Sequence, residues 1–74
     1  MNAMAAKNEN CQRFGKRVRR LRKELGLSQE QFADRVGIHR TYIGGIERGE
    51  RNPTLSTIYR IAQGLKIEAS RLLG

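Results

Sequence analysis

Between Ser28 and Gly49 the sequence specifies two short helices with almost no chain between them, SQEQFADRVGIHRTYIGGIERG. Ser28-Gln29-Glu30-Gln31 has the form of a capping box, in which the Ser28 hydroxyl accepts from the Gln31 amide and the Gln31 side chain accepts from the Ser28 amide. The helix so started presents Phe32, Ala33 and Val36 inward and stops at Gly37, whose missing side chain suits a turn of positive φ. Ile38 follows, and HRTYI opens the next helix, with Ile43 and Ile46 three apart on its inward face and Gly49 at its end. Two helices joined by so short a turn must cross near a right angle, and the small Ala33 lets their backbones approach. This is helix-turn-helix geometry, over about residues 29–48.

The flanking segments read as helices too. Phe14, Val18, Leu21 and Leu25 recur at helical spacing on one face, with Lys16, Arg17, Arg19, Arg20 and Lys23 on the others. Asn8 or Asn10 is expected to cap the start of this first helix and Gly26 its end. Asn52-Pro53-Thr54 is a turn: proline forces Asn52 into an extended conformation, and Thr54 caps a fourth helix from Leu55 with Ile58, Ile61, Ala62 and Leu65 on its apolar side. Gly64 and Lys66 compete as its closing residue. A fifth helix, Ala69 to Leu73, offers Leu72 and Leu73 for packing or for a partner subunit. With 74 residues, one proline and no β-branched alternation, the expectation is a single all-α domain of five helices over residues 11–74. Residues 1–10 read as a loose arm from which Lys7 can reach a phosphate.

Fifteen Lys and Arg against seven Asp and Glu give a net charge of +8, which asks for a polyanionic partner. Together with the helix-turn-helix this points to double-stranded DNA; the plain alternative for the charge alone is a solvated surface. One Cys and one His cannot supply a metal site, no other cofactor is indicated, and the scattered acids offer no convergent catalytic centre, so no enzyme is expected. No apolar run approaches the roughly 20 residues of a membrane span, and MNAMAAKNEN lacks the apolar segment of a secretory signal. The expected location is the cytoplasm.

In a helix-turn-helix the N-terminal part of the second helix enters the major groove, so His39, Arg40, Thr41 and Gly45 are expected to face base edges. Arg40 can donate twice to guanine O6 and N7, a contact worth about 1–3 kcal/mol of discrimination. Thr41 can meet a thymine methyl. His39 is open among a helix cap, a DNA contact and a rim position, and Tyr42 between a phosphate contact and half-buried packing. Gln29 stands where the amides of a helix N-terminus favour phosphate. Gly44 and Gly45 each cost about 1 kcal/mol in a helix. They are expected on the DNA side, where absent side chains let the helix sit deeper, the alternative being tolerance at an exposed site.

The segment LSQEQFADRVGIHRTYIGGIERGERNPTL, with HRTYI followed by IERGERN as its most diagnostic part, resembles the Cro/lambda-repressor (XRE) family of transcriptional regulators, and within it the controller proteins of restriction-modification systems. The likeness runs from about Phe14 to Leu73. It implies a five-helix lambda-repressor-like fold, a backbone-clamping role for Gln29, further DNA contacts from Arg51 and Asn52, and a buried ion pair between Arg22 and Glu47. Arg48 flanks the same end, either as a DNA contact or as solvated surface. The chain departs from the family at Lys66, where glycine is usual, and at Glu68, where a Ser, Thr or Asp cap is usual, which predicts a rearranged or weaker C-terminal end. The expectation is a sequence-specific regulator working as a homodimer on a pseudo-palindromic operator, with Ile67, Leu72 and Leu73 at the dimer interface and possible contact with RNA polymerase. A controller protein would autoregulate its own gene and a restriction-modification operon. The competing reading is an antitoxin or phage-type accessory protein acting mainly through a protein partner.

Overall fold

The computed structural model describes residues 9–74, which form five helices: α1 Glu9–Glu24, α2 Gln29–Val36, α3 Arg40–Glu47, α4 Leu55–Leu65 and α5 Ala69–Leu73. No strand occurs among the described residues. The expected arm is covered only at its end: Asn8 and Lys7 lie outside the described residues, while Glu9 and Asn10 are already helical, so Asn10 sits inside α1 and does not cap it.

Local chemistry sets most of the boundaries. Both halves of the Ser28–Gln31 capping box are made, at 3.0 and 2.8 Å. Gly37 closes α2 at φ 72°, sending its amide to the Ala33 carbonyl. Thr54 caps α4 by accepting from the Thr57 amide at 3.3 Å. Of the two candidates for the end of α4, Lys66 is the closing residue: it adopts the left-handed conformation at φ 62°, a strained choice for a residue with a side chain. Gly64 instead lies within the helix, where a Cβ would collide with the Val36 side chain of α2. Leu25 departs from its expected inward place, because α1 ends one residue earlier and leaves it 43% exposed in the turn.

Val18, Phe32, Ile43, Ile46, Ile61 and Leu72 are fully buried, each contributing about 1.5–3 kcal/mol by leaving water. Leu72 is 1% exposed and belongs to this core, so it is not available as an interface residue. The expected rearrangement of the C-terminal end does not occur. Glu68 makes no side-chain cap, yet α5 forms and packs, and Arg17 of α1 donates to its closing carbonyls at Arg71, Leu72 and Gly74. α1 crosses the C-terminal end of α3 at Gly15, where any side chain would run into the Ile46 and Glu47 carbonyls. That close crossing fixes where α3 stands.

Candidate nucleic-acid interface

Behind α3 a single carboxylate gathers three elements. Glu47, 7% exposed, receives Arg22 as a fork: Nε donates to Oε2 at 2.7 Å and Nη2 to Oε1 at 2.9 Å. Gln29 at the start of α2 donates to the same Oε1 at 3.0 Å, and the remaining arm of Arg22 donates to the Leu27 carbonyl at 2.7 Å. The hydrogen bond to Glu47 raises the Arg22 pKa above its ordinary value; burial opposes that rise and the opposite charge adds to it. The guanidinium therefore stays charged throughout the working pH range. Among the described residues no buried side-chain nitrogen or oxygen lacks a hydrogen-bond partner. α1, the loop before α2, α2 and α3 are thus locked at the C-terminal end of α3.

At the other end of α3, Arg40 and Thr41 occupy the first turn and are exposed. His39 is the N-cap: its Nδ1 accepts from the Thr41 amide at 3.1 Å, which is the cap alternative of the three open to it. Tyr42 is half-buried and packs against the core, with the Arg51 guanidinium 5.5 Å from the centre of its ring. Gln29 turns its side-chain amide inward to Glu47, which leaves the backbone amides of the first turn of α2 as that end's outward donors.

Gly44 and Gly45 do not present the bare face expected of them. Helical spacing sets Gly45 on the same outward face as Thr41, yet Gly44 and Gly45 are both buried. Arg51 lies over Gly45, its Cγ only 2.9 Å from the place a Cβ would take, and Arg48 and Gln29 lie over Gly44. Neither a bare face sinking into a groove nor an exposed tolerant site describes them. They are seats on which two arginine side chains rest.

Arg48 also donates from Nε to Glu50 at 3.1 Å, an exposed pair of small energetic weight. Arg51 and Asn52 are exposed beside the end of α3. Arg51, lying over Gly45, thus shares the outer side of the motif with Thr41, Arg40 is exposed in the turn it starts, and Gln29 contributes from behind. Asn52 lines a depression with Pro53, Ile58 and Leu73 beside the start of α1, and Ile67 lies at the α4–α5 junction. Two exposed apolar residues of α4, Leu55 at 63% and Tyr59 at 58%, were not anticipated as surface; their signal was the i, i+4 spacing on α4 just off the Ile58–Ala62 face. Gly15 was likewise missed, although a glycine three residues before Val18 on an apolar face is a readable sign of close helix crossing. Among the described residues no group of His, Cys, Asp or Glu could hold a metal ion, and no helix is long and apolar enough to cross a membrane.

Comparison with known proteins converges on this motif. A family described as helix-turn-helix matches residues 18–72. Control protein C.SmaI of Serratia marcescens is 52% identical over 56 residues, covering 76% of this chain and 67% of its own. The crystal structure of the restriction-modification controller protein C.AhdI from Aeromonas hydrophila superposes with a TM-score of 0.85 at 45% identity, over 88% of this chain and 98% of that one. The controller protein C.Esp1396I, solved as a tetramer in complex with its natural 35 base-pair operator, gives 0.81 at 31% identity over 88% and 86%. With the motif's two helices, its turn and its buried lock all in place, the chain belongs to the helix-turn-helix family, in the Cro/lambda-repressor branch that includes the restriction-modification controller proteins.

Proposed function

We propose that this chain is a sequence-specific transcriptional regulator that reads the major groove with Arg40 and Thr41. The supporting observation is the contrast between the two ends of α3: one held by Arg22, Glu47 and Gln29, the other presenting two exposed side chains suited to base edges. The α2 amides at Gln29, with Arg48, Arg51, Asn52 and the Tyr42 hydroxyl, contact phosphates and set the register without selecting sequence. His39 acts first as the cap that orients its two neighbours. The regulator works as a homodimer on a pseudo-palindromic operator with half-sites about one helical turn, roughly 34 Å, apart. It regulates by occupying promoter DNA in the cytoplasm, blocking or touching RNA polymerase, and it performs no catalysis. Its likeness to C.SmaI and C.AhdI favours a controller protein acting on its own gene and a restriction-modification operon over an accessory protein that works through a protein partner.

Selection from a pool of random duplexes tests this reading. The parent enriches one sequence, while a folded Arg40→Ala/Thr41→Ala protein loses roughly ten- to a hundredfold of its preference for it, the scale of one lost bidentate pair. Unchanged preference in that variant would remove α3 as the reading element.

A further inference from the structure

The surplus positive charge does not lie on the reading helix. α1 carries seven of the chain's 15 Lys and Arg, with Glu9 and Glu24 its only acids. Two of the seven are committed: Arg22 to Glu47, and Arg17 to the carbonyls that end α5. Arg13, Lys16, Arg19, Arg20 and Lys23 remain exposed. Only Arg20 has an ion-pair partner among the described residues, Glu24 at 3.8 Å with both side chains well solvated.

Lys16, Arg19, Arg20 and Lys23 stand at i, i+3, i+4 and i+7, and with Glu24 at its end they line one shallow depression, four cations against one carboxylate. That spacing makes Lys16/Arg20 and Arg19/Lys23 like-charged neighbours, which repel each other until something negative lies across them. The row is opposite the buried face of α1, made by Cys11, Phe14, Gly15, Val18 and Arg22. That buried face is the one pressed on the C-terminal end of α3, so the row points away from the helix whose other end reads bases. No aromatic or aliphatic side chain interrupts it. A protein partner needs such an anchor at the centre of its interface, whereas a phosphate backbone needs only cations.

We propose that the outer face of α1 is a sequence-independent phosphate-binding surface for a second segment of duplex DNA, so that a protein seated on its operator can hold another stretch of DNA behind it. This rests on the DNA-binding reading above, and the experiment separates the two.

The selected duplex is immobilised and saturated with protein, and a labelled duplex of unrelated sequence is added. The parent captures it, and capture weakens about a hundredfold between 50 and 200 mM salt if roughly four phosphates are engaged. A Lys16→Gln/Arg20→Gln/Lys23→Gln variant keeps its affinity for the selected duplex within about twofold but loses capture at least tenfold. Absence of capture by the parent at low salt, or undiminished capture by the variant, overturns the proposal. Parallel loss of affinity for the selected duplex overturns it as well, since the row would then touch the operator itself. Competition by polyglutamate as effective as by duplex at equal charge would identify an acidic protein partner instead. Should selection enrich no sequence at all, the reading of α3 fails while α1 is still tested: the variant must then bind the unrelated duplex at least tenfold more weakly than the parent, and equal binding would refute it.

Discussion

Gly45 ties sequence to function through an absence. An alanine there would gain about 1 kcal/mol of helix propensity. It would also push Arg51 off its seat, since the new Cβ would meet Cγ at 2.9 Å, and would lose a cation–π contact of about 0.5–1 kcal/mol with Tyr42. Gly45→Ala is therefore expected to leave stability within about 1 kcal/mol of the parent in urea melts. It should weaken DNA binding about as much as Arg51→Ala does, with the double variant no worse than either single one. Full additivity in that cycle would show that Gly45 does not act through Arg51. Arg22 answers a different question. Arg22→Ala leaves Glu47 buried and unmatched and should cost about 3–5 kcal/mol, a large share of a domain this small; a variant that melts like the parent would deny the lock its structural role.

Among the elements, boundaries were legible where one residue and its near neighbours decide them. The Ser28 box, Gly37 and Thr54 act within four residues of themselves, so α2, the turn and the start of α4 could be placed from the chain alone. Lys66 and Glu68 show the limit of such rules. Local preference speaks against a lysine in the left-handed region and for a hydroxyl or short acid at the cap, yet the burial of Leu65 and Leu72 outweighs both. Each unfavourable choice still has its cost. Lys66→Gly and Glu68→Ser are each expected to add about 1 kcal/mol, or roughly 4–8 °C in Tm by thermal melt; no gain from either would mean that the α4–α5 junction is not strained. What could not be read was contact beyond one helical turn: Arg51 returning over Gly45 six residues back, Arg17 closing α5, and Leu72 turning into the core when its sequence neighbour Leu73 turns out. The Arg22–Glu47 pair, 25 residues apart, came from resemblance and not from any local pattern.

Over the whole molecule, the faces differ in kind: exposed Arg40 and Thr41 at the start of α3, cations along α1, and apolar side chains at the α4–α5 end. That end carries Leu55 and Tyr59 on α4 and Leu73 on α5, each more than half exposed, with Ile67 partly buried beside Tyr59. With Leu72 internal, these are the residues on which the proposed homodimer would close. Leu55→Lys/Tyr59→Lys is expected to sediment as a folded monomer and to bind a full operator at least tenfold more weakly than the parent, while an unchanged dimer would place the interface elsewhere.

The position of the Arg22–Glu47–Gln29 lock carries an evolutionary corollary. It grips α3 only at the C-terminal end of the helix and draws nothing from the side chains of Arg40 or Thr41, so those two can be exchanged while the frame that holds them persists. On the proposed reading of α3, a lineage or an engineer would retarget such a protein to a new promoter by rewriting one dipeptide.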